Sequence, residues 1–209
     1  MMRIYIVRHG NTFEKNEAPR RVGSETDVPL VESGFIQAES LGKDLLGKKI
    51  IFSNVYSSPL LRAKQTTQKI LEQLNSNLVI EHLDFLNEIN HGVDENKVES
   101  EVVERIGNAA IRDWDEKAIE PNGWIVNAEK RMNGFRDFVE NHRRFVDTNI
   151  LMVTSNGAAR FLLQAYQIKH SHKNLKLRTG SYGCVEFLKE SISLKCWDIR
   201  PDISVNSKS

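Results

Sequence analysis

Short apolar segments with the composition of strands alternate along this chain with longer segments of helical character. The strand-like segments cover residues 3–7, 51–57, 78–83 and 149–154, and a hairpin is predicted at 182–188 and 192–199. Helices are predicted between them, at 33–47, 59–75, 97–117, 127–146 and 157–167. Strands that are joined by helices pair in parallel through right-handed crossovers. The order of the segments therefore predicts an α/β fold with three layers, in which helices flank a mixed, mostly parallel central sheet.

The chain is predicted to form a single domain. No repeat, low-complexity tract or Gly/Ser-rich linker divides residues 1–209, and this length suffices for one sizeable core. Within the domain, residues 93–126 are predicted to form an insert that caps the active crevice and selects the substrate. The insert contains Trp114 and Trp124, whose side chains we expect to pack inside the cap.

The charge balance limits the partners that the protein can have. Lysine and arginine number 29 against 28 acidic residues, so a general polyanion-binding surface is not indicated and nucleic acid is not an expected partner. No apolar run approaches membrane-spanning length, and the first residues lack a signal-peptide pattern. We therefore expect a cytoplasmic protein without a membrane partner. The sequence leaves open whether it forms a homodimer.

No group of residues in the sequence is typical of a metal or cofactor site. Cys184 and Cys196 lack the spacing of metal ligands; they can face each other across the predicted hairpin, where reduced thiols are expected. His170 and His172 have no acidic or thiol partner beside them, so a surface loop is the better interpretation. We predict neither a metal nor a cofactor.

Reactive side chains follow three of the predicted strands. The first strand runs into Arg8-His9-Gly10, the second into a segment that contains Arg62, and the fourth into Asn156 and Gly157. Ligands of open α/β sheets bind beyond the carboxyl ends of the strands, so these residues are expected to converge at one crevice. Before Arg62, Ser58 is the predicted N-cap of its helix and Pro59 a first-turn residue.

This combination of side chains suits a phosphoryl group. Guanidinium groups grip phosphate oxygens in bidentate fashion, and the unpaired N–H groups at a helix start favour an anion. A neutral imidazole can attack phosphorus and carry the group as phosphohistidine, without a metal. Taken singly, each residue has an ordinary explanation: His9 can close a turn, Arg8 can form a surface ion pair, and Arg62 can be solvated. Only the combination is informative.

Several motifs carry a resemblance to a known family. They are RHGNT at 8–12, DVPLVESGFIQAESLG at 27–42, SSPLLRAKQT at 57–66, LNEINHG at 86–92 and VTSNGAARFLL at 153–163. In this order they resemble the histidine phosphatase superfamily, to which cofactor-dependent phosphoglycerate mutases and many small phosphatases belong. The resemblance spans nearly the whole chain and implies a phosphoglycerate mutase-like fold.

The resemblance implies a role for each matching residue. His9 matches the nucleophile that becomes phosphorylated, and Arg8 and Arg62 match the pair that holds the transferring phosphoryl group. Glu88 matches the acid that protonates the leaving oxygen and then activates water. Asp94 and Glu95 lie close enough in sequence to compete for the acid role.

Asn156 stands where the family usually has its second histidine, in an SHGG-like segment. An amide can still donate a hydrogen bond to a phosphoryl oxygen, beside the Gly157 N–H, but it cannot carry positive charge. In one interpretation the enzyme is intact, and Arg160 or Arg21 supplies charge. In the other, reduced or lost turnover leaves a protein that binds phosphorylated ligands. The presence of both a nucleophile and an acid favours the enzyme.

A phosphatase is a better interpretation than a mutase. The segment after Glu88, INHGVDENKVESEVVERIG, is short and acidic, and we expect it to repel the second anionic group of a mutase substrate. The sequence thus predicts a metal-independent phosphatase that hydrolyses small phosphorylated metabolites through a phosphohistidine. Asn11, Thr12, Arg21 and His91 are predicted to line the substrate mouth, with His91 at its rim.

Overall fold

A computed structural model describes residues 1–142, 147–169 and 174–202. The strands in these ranges are β1 (Met2–Arg8), β2 (Asn54–Ser57), β3 (Ile80–His82), β4 (Thr148–Thr154), β5 (Tyr182–Phe187) and β6 (Ile192–Ile199). The helices are α1 (Glu32–Gly47), α2 (Leu61–Gln73), α3 (Glu99–Lys117), α4 (Ala128–His142) and α5 (Asn156–Ala165), with 3-10 turns at Asp84–Leu86 and Gly92–Asp94. The predicted loop at His170 and His172, the end of the helix predicted at 127–146, and residues 203–209 lie outside the described residues.

The six strands form one mixed sheet in the order β3-β2-β4-β1-β5-β6. β1, β2, β3 and β4 are parallel, whereas β5 is antiparallel to β1 and β6 is antiparallel to β5. The hairpin thus adds the antiparallel edge, and the predicted fold class is confirmed. Cys184 and Cys196 are register partners across this hairpin, and both are free thiols.

Helices cover both faces of the sheet because successive side chains of a strand point to opposite faces. In β1, Ile4 and Ile6 face one core, which also contains Phe135 of α4 and Phe161 of α5. Tyr5 and Val7 of β1 face a second core, which contains Leu41 of α1 and Ile70 of α2. The near-continuous apolar run of β1 is therefore explained by burial on both sides.

Two strands are shorter than predicted, and one predicted helix is interrupted. β2 begins at Asn54 rather than at residue 51, and β3 keeps only three residues, because both flanking segments leave the sheet as loops. The helix predicted at 97–117 is interrupted at Gly107, whose φ of 81° and ψ of 155° are not helical. Glycine permits this break because it has no Cβ to clash at positive φ. In the described ranges, no helix is long and apolar enough to cross a membrane.

The registers place the carboxyl ends of three strands at one edge of the sheet. Arg8 of β1 pairs with Thr154 of β4, and Ser57 of β2 pairs with Val153. The start of the predicted insert reaches the same edge, since residues 19–21 exchange backbone hydrogen bonds with residues 96–99. The segments after these strands are therefore neighbours, as the rule for open sheets predicts.

Candidate active site

His9 lies directly beyond β1, and its ring is buried, with 6% of the residue exposed. The backbone N–H of His9 continues the sheet by donating to the Thr154 carbonyl at 3.0 Å. Its Nδ1 lies 2.7 Å from the Gly10 carbonyl oxygen. A carbonyl can only accept a hydrogen bond, so Nδ1 carries the proton and Nε2 keeps its lone pair. The imidazole is therefore oriented with its nucleophilic nitrogen away from the backbone.

Burial holds the pKa of His9 well below its usual range, and the positive charges of Arg62 and Arg8 lower that pKa further. The hydrogen bond to the Gly10 carbonyl acts in the opposite direction and is outweighed. The ring is consequently neutral at pH 7. A neutral imidazole is the form that can attack an electrophilic phosphorus atom.

Gly10 is required by close backbone contact. A Cβ at this position would lie far inside van der Waals distance of the Gly34 carbonyl in α1, whose backbone cannot move aside cheaply. The Gly10 N–H donates to Thr66 Oγ1 at 3.1 Å, and that hydroxyl donates to the Arg62 carbonyl at 2.8 Å. The turn after His9 is thereby fixed against both α1 and α2.

Arg62 is completely buried in the first turn of α2. Its Nε–H donates to His9 Nε2 at 3.2 Å, while Nη1 donates to the Thr26 carbonyl at 2.9 Å and Nη2 to the Gly23 carbonyl at 3.0 Å. Burial lowers the pKa of Arg62, and the Glu88 carboxylate opposes that shift. Its two terminal nitrogens each keep a second N–H, which can bind an oxyanion beside the imidazole.

The predicted cap of α2 is wrong by two residues. The helix begins at Leu61, and Leu60 occupies the N-cap position without a side-chain cap. Ser58 Oγ instead accepts the Leu60 N–H at 3.3 Å, and Asp27 Oδ1, from a distant loop, accepts the Leu61 N–H at 2.6 Å. The cap is supplied from outside the local sequence, which a Ser-Pro pattern cannot reveal.

Arg8 and Asn156 are linked through one residue of the segment before β5. Arg8 Nη1 donates to the Leu177 carbonyl at 2.7 Å, and the Leu177 N–H donates to Asn156 Oδ1 at 3.0 Å. Burial lowers the pKa of Arg8 to about 10, although the Glu88 charge opposes the shift. Because its Oδ1 is occupied, Asn156 presents its amide NH₂ as the group that can donate to a ligand.

Glu88 reaches the same region from the loop after the first 3-10 turn. The residue is buried; Oε1 accepts its neighbour's N–H, that of Ile89, at 2.8 Å, and Oε2 accepts the Gly157 N–H at 3.2 Å. The amino terminus of α5 was predicted to bind an anion, and in this structure the carboxyl group of Glu88 occupies the Gly157 N–H. A Cβ on Gly157 would overlap Glu88 Oε1, so glycine is needed for this contact.

The two other acidic candidates are bound elsewhere. Asp94 accepts hydrogen bonds from Arg105 and from Trp124 Nε1. Glu95 Oε1 accepts the Gly23 N–H and the Thr26 hydroxyl, both at 2.7 Å. Neither carboxylate lines the cavities that Glu88 lines. Of the three, the structure places Glu88 beside His9 and the arginines.

Two adjoining cavities meet at Arg8 and Glu88. The larger has a volume of about 410 Å³ and is lined by Arg8, His9, Asn11, Thr12, Phe13, Glu14, Lys15, Glu17, Pro19, Arg20, Val22, Arg62, Glu88 and Thr179. The smaller, of about 90 Å³, is lined by Arg8, Arg20, Arg21, Val22, Glu88, His91, Trp114, Asn156 and Gly157. The larger is of a size typical of small-molecule sites.

The predicted mouth residues divide between the cavities. Asn11 and Thr12 line the larger one, and Asn11 Oδ1 accepts the Thr179 hydroxyl at 2.5 Å. Arg21 and His91 line the smaller one, but the prediction that His91 lies at the rim is wrong. Its ring is buried edge-on against Trp124, with centroids 4.5 Å apart.

Arg160 and Arg21 were the candidates to supply the charge that Asn156 lacks. Arg160 is buried over the Trp114 ring, 4.0 Å from its centroid, and donates to the Trp114 carbonyl. It lines neither cavity. Arg21 does line the smaller cavity and forms an ion pair with Glu99. Only Arg21 of the two is placed to meet a ligand there.

Sequence reasoning missed several residues of the site. Glu14 and Glu17 line the larger cavity. They lie in the loop after RHGNT, and this position could have indicated them, but the motif itself ends before them. Thr179 and Leu177 follow no recognisable motif, and their contacts join segments more than 20 residues apart. Within the described part of the chain, no three His, Cys, Asp or Glu side chains converge as ligands for a metal ion.

Sequence comparisons identify a family and several relatives of the chain. The family model described as histidine phosphatase superfamily (branch 1) matches residues 4–200. A broad-specificity phosphatase of Saccharomyces cerevisiae is 26% identical over 197 residues, which cover 91% of this chain and 82% of the relative. A 2,3-bisphosphoglycerate-dependent phosphoglycerate mutase of Hamiltonella defensa is 34% identical over 113 residues, which cover 54% of this chain but only 45% of the mutase.

Solved structures share the fold over almost the whole chain. A mycobacterial glucosyl-3-phosphoglycerate phosphatase has a TM-score of 0.76 at 19% identity, with 95% of this chain and 99% of that chain covered. A phosphoglycerate mutase from Bacillus anthracis has a TM-score of 0.77 at 24% identity, with 97% and 94% covered. Phosphatases and mutases thus have this architecture in common, and the choice between them depends on the residues of the site.

Proposed function

Because the chain belongs to the histidine phosphatase superfamily, we propose that it is a metal-independent phosphatase that hydrolyses small phosphomonoesters through a phosphohistidine at His9. The observation that carries the proposal is the pairing of two buried side chains. His9 offers an unprotonated Nε2, and the Nε–H of Arg62 points at that nitrogen from 3.2 Å. A nucleophile and a cationic oxyanion ligand are thereby held side by side before any substrate arrives.

In the first half-reaction, the Nε2 lone pair of His9 forms a bond to phosphorus while the bond from phosphorus to the ester oxygen breaks. Arg8 and Arg62 bind the phosphoryl oxygens and stabilise their negative charge in the transition state. Glu88, in its acid form, gives its proton to the departing oxygen and releases an alcohol. The oxygens of the bound ester take over the Arg62 N–H groups, which frees Nε2 for attack.

In the second half-reaction, a water molecule attacks the phosphohistidine. Glu88, now a carboxylate, accepts a proton from this water, the new bond from oxygen to phosphorus forms, and the bond from phosphorus to His9 breaks. The products are orthophosphate, the neutral imidazole and the acid form of Glu88. The same carboxyl group serves in both directions because its position beside the ring does not change.

We propose that Asn156 replaces the family's second histidine. In this protein its amide NH₂ donates a hydrogen bond to a phosphoryl oxygen. Its NH₂ group and the Gly157 N–H stand at the start of α5, where the helix dipole also favours negative charge. The Gly157 N–H is shared between Glu88 and the phosphoryl oxygen. Arg21, which lines the adjoining cavity, contributes positive charge to this side of the site.

The charges around the larger cavity favour a phosphatase over a mutase. The acidic residues after Glu88 were expected to repel a second anion, but that reason is wrong, since Asp94 and Glu95 do not line either cavity. Glu14 and Glu17 line the larger cavity together with Lys15 and Arg20 of the same loop, so the mouth holds balanced charge rather than a cationic clamp. A mutase must retain a second phosphate or carboxylate there.

A panel of small phosphomonoesters tests the proposal through the release of orthophosphate. The unaltered chain should hydrolyse several of them without added metal, His9→Ala should be inactive, and His82→Ala, a change at an exposed histidine of β3, should match the unaltered chain. Interconversion of 3-phosphoglycerate and 2-phosphoglycerate without hydrolysis would indicate a mutase. Binding of phosphate esters without any turnover would indicate a protein that only binds phosphorylated ligands.

A further inference from the structure

The loop that carries Glu88 has little regular structure of its own. It runs from the 3-10 turn at Asp84–Leu86 to Asn90, which forms an isolated bridge with Ile125. A loop without ladder hydrogen bonds needs other partners for its carbonyl groups, especially where it is buried. Glu88 itself is one of the buried residues.

One side chain, that of Arg131, supplies three of these partners, and other donors bind the carbonyls of Leu86 and Ile89. Arg131 lies in the first turns of α4 and is buried. Its Nη1 donates to the Phe85 carbonyl at 3.2 Å and to the Asn87 carbonyl, and its Nη2 donates to the Glu88 carbonyl at 3.0 Å. Its Nε donates to the Val126 carbonyl at 2.8 Å. A single guanidinium therefore binds three carbonyls of the Glu88 loop and one from the end of the insert.

The partners of Arg131 are backbone groups rather than carboxylates. Its hydrogen bonds in the described residues all go to backbone carbonyls, and no ion pair of those residues includes it. Burial of a cation without a salt-bridge partner costs free energy of desolvation. The hydrogen bonds of Arg131 offset this cost and hold the Glu88 loop in a conformation that an apolar side chain could not hold. Burial lowers the pKa of Arg131, and the charge that opposes this shift is the Glu88 carboxylate.

The side chain of Glu88 is held separately from its backbone. The Gly157 N–H of α5 binds the carboxylate, while Arg131 of α4 binds the Glu88 carbonyl. Two helices that pack on each other thus fix the two ends of one residue. A shift of the backbone end moves the carboxyl group relative to the leaving oxygen, and proton transfer depends strongly on such a distance.

We propose that Arg131 is a positioning residue for the general acid: by binding the carbonyls of residues 85, 87 and 88, it sets where the Glu88 carboxyl group lies, a role that rests on the proposed function. It does not touch the substrate. Its loss should therefore weaken proton delivery to the leaving oxygen far more than it weakens attack by His9.

Leaving groups of different basicity separate these two effects. An alkyl phosphate needs a proton on its departing oxygen, whereas p-nitrophenyl phosphate releases a stable phenolate that needs little help. In single-turnover experiments, Arg131→Lys and Arg131→Met should slow the first half-reaction of the alkyl ester at least 10-fold more than that of the aryl ester. Lysine keeps the charge but lacks the planar fork that binds three carbonyls together.

Arg136→Met is the matched control on the same helix. Arg136 also donates to a backbone carbonyl, that of Ala165 at 3.2 Å, but none of its hydrogen bonds within the described ranges reaches the Glu88 loop. This variant should leave the ratio of the alkyl to the aryl rate unchanged. A melting curve of each variant establishes that the chain is folded at the assay temperature.

A double-mutant cycle with Glu88→Gln completes the test. Once the acid is absent, adding Arg131→Lys should change the ratio of the two rates less than 2-fold, because nothing remains to be positioned. If Arg131→Lys slows both esters equally, the residue is only structural and the inference is wrong. If the unaltered chain forms no phosphohistidine and hydrolyses neither ester, the proposed function fails first, and the role of Arg131 fails with it.

Discussion

The Nε–H of Arg62 donates to Nε2 of His9 across 3.2 Å, and both side chains are buried. Each residue therefore constrains the other. The imidazole carries its proton on Nδ1, and the guanidinium is oriented with its Nε–H toward Nε2 of the ring. The remaining partners of Arg62 are the backbone carbonyls of Thr26 and Gly23, which hold the fork in place. This relationship between α2 and the end of β1 is the basis of the first prediction.

Arg62→Lys should lower kcat/KM for a phosphomonoester about 100- to 1,000-fold, because an ammonium cannot bind the ring and two phosphoryl oxygens in one plane. Arg112→Lys, a change at an exposed arginine of α3, is the control and should have little effect. Steady-state kinetics on folded protein check the difference. Equal activity of the two variants would contradict the role of Arg62.

Gly157→Ala should reduce turnover of alkyl phosphates about 10-fold or more while the melting temperature stays nearly constant, since the effect is on the position of one carboxyl group. The added Cβ overlaps Glu88 Oε1 and comes within 3.1 Å of Ile89 Cγ1, and both atoms belong to side chains rather than to the backbone. Gly47→Ala is the control, because a Cβ there meets no atom within 4 Å. Unaltered kinetics in Gly157→Ala would show that the observed position of Glu88 does not matter.

Asn156→His should not raise turnover, although histidine is the residue expected in this segment. Asn156 Oδ1 accepts the Leu177 N–H at 3.0 Å. A neutral imidazole can replace this acceptor, but an imidazolium has only donors and would leave the Leu177 N–H without a partner. The new histidine would therefore remain neutral and add no charge. Asn156→Ala should lower kcat about 100- to 1,000-fold through loss of the donor.

Steady-state rates of both Asn156 variants check this prediction. A turnover of Asn156→His clearly above that of the unaltered chain would mean that asparagine weakens the enzyme. Activity of Asn156→Ala close to that of the unaltered chain would mean that the amide does not bind the phosphoryl group.

The buried ring of His9 should make the folded protein less stable in acid. Its pKa in the folded state lies well below the ordinary value of 6.5, so the unfolded chain binds a proton that the folded chain does not. Stability rises with pH wherever the unfolded state binds more protons, so the contribution of His9 is lost as the pH falls below about 6.5. Between pH 7 and pH 5, the free energy of unfolding measured with urea should decrease less for His9→Gln than for the unaltered chain. An equal decrease would mean that the ring is already charged in the folded protein.

The features that the sequence predicted are those set by local pattern and by the topology of parallel strands. Apolar runs located β1 and β4, and the rule for strand ends predicted that Arg8, His9 and Arg62 meet at one crevice. The family motif singled out Glu88 among neighbouring acids. The structure adds the reason, since Asp94 is bound by Arg105 and lines neither cavity.

Contacts between segments that are distant in sequence were beyond prediction. The fork of Arg131 reaches carbonyls 43 to 46 residues away, and a backbone carbonyl has no signature in a sequence. Leu177 joins Arg8 to Asn156 through its main chain alone, so its side chain gives no sign of the role. The burial of His91 depends on its contact with the distant Trp124, which a periodic pattern does not encode.

The central claim is that His9 accepts the phosphoryl group, and chemical trapping tests it most directly. A phosphomonoester labelled at phosphorus is mixed with the protein, quenched within one turnover, and the label is located by peptide mass spectrometry. The account predicts an acid-labile, alkali-stable phosphoryl group on His9 in the unaltered chain and in His82→Ala, and none in His9→Ala. Hydrolysis that proceeds with no label on His9, or with the label on another residue, would contradict it.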